Sequence, residues 1–183
     1  MTRRNWDETC ALLRERGYLS DDLGFLGPLH PKIPDRMPSP DNDEAADGIA
    51  LYKGGFAPGE DLSNLALPRT FISRCHIEDL SFVNTDLSES WFCWNDFTRV
   101  DFSDADLSRA DLRCSIFEDV SFERANLSGA DLRGSNFARC KFSGANFDRA
   151  FLMPGEPEAL GLTAEQQKQA IVTDDPGPDP GGG

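Results

Sequence analysis

From residue 62 to residue 152, every fifth residue is Leu, Ile or Phe, without a gap. The run is Leu62, Leu67, Ile72, Ile77, Phe82, Leu87, Phe92, Phe97, Phe102, Leu107, Leu112, Phe117, Phe122, Leu127, Leu132, Phe137, Phe142, Phe147 and Leu152, in a chain that is only 39% hydrophobic. An α-helix cannot use this pattern. At about 100° per residue, five steps overshoot a full turn by roughly 140°, which smears the apolar residues around the cylinder. A straight strand fails as well, because an odd spacing alternates its two faces. A small or apolar residue stands two places before each of the clearest members: Val120, Ala125, Ala130 and Ser135 precede Phe122, Leu127, Leu132 and Phe137. Residues two apart share a strand face, so each unit of five is an inward stroke followed by a corner.

A second period tells how many corners close a turn. The central residues read Phe102, Leu107, Leu112, Phe117 and then Phe122, Leu127, Leu132, Phe137; the preceding inward positions repeat with them. Four units of five give a 20-residue coil that stacks like on like, the signature of a solenoid in which each repeat buries its apolar side against its neighbours. At about 4.8 Å per coil, nearly five coils make a column roughly 23 Å tall. The position before the central residue is often Asp or Asn (Asp86, Asp106, Asp111, Asn126, Asp131), which favour turns. Gly129, Gly134 and Gly144 fall two places after it, at the corners. The position just after it is mostly Ser, Arg, Glu or Thr and is expected to face water.

Units such as Ala105-Asp106-Leu107-Ser108-Arg109 and Ala130-Asp131-Leu132-Arg133-Gly134 resemble the A(D/N)LXX motif of pentapeptide-repeat proteins, over about residues 60–152. The resemblance implies an all-β solenoid, a right-handed quadrilateral β-helix. It implies little about function, because one scaffold serves many uses.

The flanks suggest dressing on this column. Residues 1–59 are expected to form a short helix plus a Pro-rich extended segment packed on the solenoid. The helix spans residues 5–16, with Asn5 as N-cap, Asp7 and Glu8 in the first turn, Gly17 after its end and an apolar stripe of Trp6, Cys10 and Leu13. After the repeats, residues 153–173 are expected to cap the column. Thr163-Ala164-Glu165-Gln166 reads as a capping box that opens a helix to about Ile171, with Leu160, Leu162 and Ile171 over the raw apolar end. Residues 174–183, rich in Pro and Gly, read as a disordered tail.

No apolar run is long enough to span a membrane, and the N-terminus lacks the apolar core of a signal peptide, so a cytoplasmic location is expected. The net charge of −14 disfavours direct contact with nucleic acid or an anionic membrane. Of the five cysteines, Cys75 and Cys140 fall at inward positions, whereas Cys93 and Cys114 are expected to point outward on neighbouring coils. No nucleophile elbow, phosphate loop or HExxH motif occurs, and two histidines without ligand spacing suggest no metal and no cofactor. A shaft filled with Phe and Leu offers no pocket, so no catalytic residue and no enzyme activity are expected.

Presentation of a surface remains. Trp91 and Trp94 flank Phe92 at positions expected to point outward, and exposed Trp is a common interface anchor. They are the candidate partner-binding residues, provided residues 1–59 do not cover them. The preferred reading is a protein-binding scaffold, an immunity or regulatory protein of a bacterial cytoplasm, with partner and oligomeric state left open. A second reading follows from the resemblance: a mimic of duplex DNA that binds DNA gyrase or topoisomerase and protects it from toxin or quinolone. Duplex DNA carries one charge per ~1.7 Å, so a 23 Å mimic wants about 13 net negative charges; residues 60–152 carry 16 acids and 10 bases, a net of −6. A third reading is a purely structural module.

Overall fold

The computed structural model of the chain describes residues 2–16, 50–52 and 56–177. Within the repeats, parallel bridges join residues 20 apart. They run Asp61, Ser81, Asp101, Ser121, Lys141 on a first side, and Ala66, Asp86, Asp106, Asn126, Asn146 on a second. A third side runs Phe71, Trp91, Asp111, Asp131, Phe151. The strands, in chain order, are β1 (Ala50–Tyr52), β2 (Phe71–Ser73), β3 (His76–Glu78), β4 (Asp96–Thr98), β5 (Ile116–Glu118), β6 (Asn136–Ala138), β7 (Phe151–Leu152) and β8 (Ile171–Val172). The fourth side is the parallel sheet β3-β4-β5-β6, in a strict 20-residue register that sets Phe97 beside Phe117 and Phe137. The third side reaches beyond the repeats at both ends, because β1 pairs with β2 and β8 with β7.

This register fixes the core. On the first side the rings of Phe82, Phe102, Phe122 and Phe142 stack with centroids 5.2, 5.3 and 5.1 Å apart. On the fourth, Phe97, Phe117 and Phe137 stack at 4.9 and 4.8 Å. The two columns meet edge to face at their shared corner, as Phe97 does with Phe102 at 5.8 Å and 71°, both geometries that aromatic rings favour. Phe82, Leu87, Phe92, Phe97, Phe102, Leu107, Leu112, Phe117, Phe122, Leu127, Leu132, Phe147 and Leu152 are wholly buried, and Phe142 nearly so. Phe137 is only half-buried. It is the last rung of the fourth side, for the next unit would centre on residue 157, where Pro157 lies instead in the short helix α2 (Glu156–Ala159).

The inward position two before the centre does more than fill space. At Ala105, Ala110, Ala125 and Ala130 its amide closes the corner on the carbonyl three residues back. On the fourth side the amide bonds a side chain one coil on: Cys75 N–H to Asn95 Oδ1 at 3.0 Å, Asn95 to Ser115 Oγ at 3.0 Å and Ser115 to Ser135 Oγ at 3.1 Å. Those groups donate in turn to main-chain carbonyls, so the polar atoms inside the shaft are paired.

Every corner adopts a left-handed backbone. Fifteen non-glycine residues from Asn64 to Arg149 have φ between 53° and 64°, at a cost of about 1 kcal/mol or more each. Four of these corners carry an arginine that reaches one coil back to an acid: Arg99 to Asp79, Arg109 to Glu89, Arg124 to Asp104 and Arg139 to Asp119.

Three expectations about the flanks change. The helix α1 (Trp6–Glu15) forms, and Asn5 and Glu8 make a reciprocal capping box at 2.9 and 3.0 Å. Its buried residues, however, are Thr9, Cys10 and Leu13. Thr9 displaces Trp6 from the inward stripe because its hydroxyl accepts from the Ala66 amide at 2.9 Å. The helix α3 (Ala164–Gln169) stops short of Ile171. Ile171 N–H donates to Ala150 O at 2.7 Å and extends the third side by one more rung, which leaves Ile171 exposed at the sheet end. Leu162 joins the core, and Gln166 ties α3 down by donating to Phe142 O and Ala145 O. The third change is that Arg113 and Arg133, expected to face water, are buried. Gly17, the Pro-rich run 24–40 and the acidic turn 41–48 lie outside the described residues.

Phe102→Ala should remove a ring held between two others and cost about 3–5 kcal/mol, read as a lower urea midpoint at unchanged m-value. The corner ion pairs predict a pH dependence. Hydrogen bonds from Arg99, Arg124 and Arg139 hold Asp79, Asp104 and Asp119 below the usual carboxylate range, whereas burial raises Glu156. Lowered folded values give stability that is present at neutral pH and lost as acid protonates the folded carboxylates, below about pH 4. Calorimetry should show a level Tm from pH 7 to about 5 and a fall below. The triple variant Arg99→Gln/Arg124→Gln/Arg139→Gln should have a lower neutral Tm and a shallower acid limb.

Candidate functional site

The third side differs from the others in its outward chemistry. Its two outward columns are Phe71, Trp91, Asp111, Asp131, Phe151 before the central residues and Ser73, Cys93, Arg113, Arg133 after them. The aromatic end begins with Phe71 and Trp91, stacked at 6.4 Å and 28°. Trp91 is half-buried. Trp94 stands at the corner leaving this side, with φ 64° and 42% of its surface exposed. Arg74, one coil back, sets its guanidinium carbon 5.8 Å from the Trp94 ring, within cation–π range.

Further along lies an ion lattice. Arg113 donates through Nε and Nη2 to both Asp111 oxygens at 2.8 and 2.6 Å, a bidentate pair. Its Nε also lies 3.4 Å from Asp131, which is itself forked by Arg133. The Arg133 guanidinium carbon sits 5.1 Å from the Phe151 ring. These arginine side chains are 6% and 8% exposed, because the chain after β8 lies over them: Arg133 Nη1 donates to Asp175 O. Asp-x-Arg at the same side of two successive coils was the sequence signal for this lattice, since residues two apart share a face.

Cys93, expected outward and open between the two tryptophans, is instead fully buried. Burial and the neighbouring Asp111 carboxylate raise its thiol far above the ordinary range, and burial pushes Cys140 up to about 11. Neither thiol is ionised at neutral pH, so neither has the character of a nucleophile. Among the described residues, no three His, Cys, Asp or Glu side chains are placed to hold a metal, and no helix is long and apolar enough to cross a membrane. The structure therefore brings together an aromatic corner and a buried ion lattice on one side, and spreads the remaining charge as paired corners.

The profile of the pentapeptide repeats matches residues 75–113 and 115–152, in eight copies. A pentapeptide-repeat protein from the thylakoid lumen of Arabidopsis thaliana is similar in structure, with 28% identity and a TM-score of 0.55 over 58% of this chain and 74% of that one. Rfr23 from the cyanobacterium Cyanothece 51142 is 30% identical over 46% of this chain and 54% of its own, with a TM-score of 0.28. QnrB1, a plasmid-mediated fluoroquinolone resistance protein, is 26% identical over 52% of this chain and 53% of its own, with a TM-score of 0.35. No curated protein matches the chain. The 20-residue register, the parallel sides and the eight matched copies agree: the chain folds as a right-handed β-helix solenoid, and its repeat region belongs to the pentapeptide-repeat family.

Proposed function

We propose that this chain is a non-enzymatic docking scaffold whose third side, anchored by Trp91 and Trp94, receives a protein partner in the cytoplasm in an immunity or regulatory role. One observation carries the reading. A bulky aromatic residue in the left-handed region is unusual, and Trp94 holds that conformation at a corner while exposing 42% of its surface. The other corners use Asn, Asp, Glu, Arg, Cys or Gly. Nothing in the coil calls for an indole there, whereas an exposed Trp beside an arginine suits an interface centre. In this reading residues 60–152 are the scaffold, residues 1–59 dress its first coils, residues 153–173 close its far end and residues 174–183 are a tail. The burial of Leu13 and Leu162 in the core supports α1 and α3 as caps on the two apolar ends.

The DNA-mimic reading draws on the net charge of −14. Against it, the acids do not form a stripe. Asp79, Glu89, Asp104 and Asp119 are each neutralised by an arginine one coil on, so the corners alternate in sign along the column. A duplex would present one sign throughout.

Trp94→Ala should leave the Tm within about 3 °C, as an exposed substitution does. It should weaken a purified partner, first captured from the host, by about 30-fold or more, the loss of a hot-spot residue. Unchanged partner affinity would remove the site. Inhibition of gyrase supercoiling by stoichiometric protein would establish the mimic instead.

A further inference from the structure

The C-terminal segment leaves β8 and lies along the third side rather than away from it. Asp175 O accepts from Arg133, and Gly177 N–H donates to the Asp175 carboxylate at 2.9 Å. That turn holds Gly177 at φ 73° against both arginines: a Cβ placed on it would lie 2.9 Å from Arg133 Cζ and 3.2 Å from Arg113 Nη1. The path thus runs from the rung of Phe151 past Arg133 to Arg113, down the column. The next rung, about 4.8 Å further, is that of Trp91 and Cys93, through the bridge from Asp111 to Trp91. Six residues follow Gly177, Pro178-Asp179-Pro180-Gly181-Gly182-Gly183, and six extended residues reach up to about 20 Å. At that next rung Cys93 projects from the coil yet has 0% exposure.

The chemistry of the segment fits the surface beneath it. It carries Asp174, Asp175 and Asp179 and alternates Pro176, Pro178 and Pro180 with Gly or Asp. Acids suit a side that holds Arg113 and Arg133, and proline-rich extended chain docks on aromatic faces at little entropic cost.

We infer that residues 173–183 are an internal ligand of the third side, running over Arg133 and Arg113 to the rung of Cys93 and Trp91, so that a partner must displace them. The inference rests on the reading of this side as the docking face and names what that face accepts: an extended, acidic, proline-bearing segment of another protein. Residues 178–183 are the occupant next to the tryptophans in the free chain.

Cys93 is the reporter. In the full-length chain it should react slowly with N-ethylmaleimide. Gly177→Val places a β-branched side chain at a left-handed φ against Arg133, lifts the segment and should speed Cys93 labelling by about 10-fold or more, because a covered thiol reacts only when its cover opens. Cys10 and Cys75, buried elsewhere, should stay slow, and a free peptide of residues 173–183 should restore protection to the variant. Equal Cys93 rates in both chains would overturn the inference. So would a parallel rise at Cys10 and Cys75, or a peptide without effect. The two readings separate cleanly. A partner that binds native and Gly177→Val chains equally removes the internal ligand and keeps the docking face. Peptide protection of Cys93, with partner affinity untouched by Trp94→Ala, does the reverse.

Discussion

The hydrogen-bond ladder between residues 20 apart is the constraint on which the rest of this molecule depends. Phe102 N–H donates to Ser121 O at 2.8 Å, and Ser121 N–H returns to Val100 O at 3.0 Å; the same exchange recurs on every side. A ladder spacing of about 4.8 Å is also the distance at which aromatic rings stack well, so Phe82, Phe102, Phe122 and Phe142 meet face to face without distorting either the backbone or the rings. Backbone pairing and core packing therefore demand the same register. A slip by one unit would set Phe against Leu and break both columns at once. The left-handed corners are tolerated because this double constraint over-determines them.

Which parts of this were legible in the sequence depended on how local the cause is. The five-residue period expresses strand alternation and corner geometry within a single unit, so Phe122, Leu127 and Leu132 announce their own burial. The polar ladder through Asn95, Ser115 and Ser135 was less legible, because those residues look merely small or turn-forming until the coil above supplies an amide. Trp6 and Thr9 were exchanged for a related reason: hydropathy favours Trp inward, but the Ala66 amide at the first coil needs an acceptor, and Thr9 provides it. Ile171 was read as the end of a helix, whereas it falls 20 residues after Phe151 and continues the third side. The burial of Arg113, Arg133 and Cys93 was out of reach of a rule that sends the position after each centre to water. What lies over Arg133 is a segment some 40 residues further along the chain.

The same locality shapes function. Most of the outer wall is occupied by its own chemistry, with serines, Asx turns and arginines paired to acids one coil away. Such a surface is soluble and self-satisfied, and offers a partner little to gain. The third side departs from this pattern, with an aromatic corner at Trp94 and an acid–arginine lattice that the C-terminal segment touches. A rigid column with one distinctive side suits a scaffold, since the docking residues are held by rungs rather than by loops.

The most direct measurement of the central claim is the distance between two exposed positions on the first side, Asp61 and Lys141, which lie 80 residues apart in sequence and are bridged through Ser81, Asp101 and Ser121. Four rungs at about 4.8 Å place their backbones about 19 Å apart. Spin labels at these sites should give a single narrow distance distribution near that value, broadened only by the label arms. A broad distribution, or one centred well beyond 30 Å, would contradict a continuous 20-residue register and the stacked core built on it.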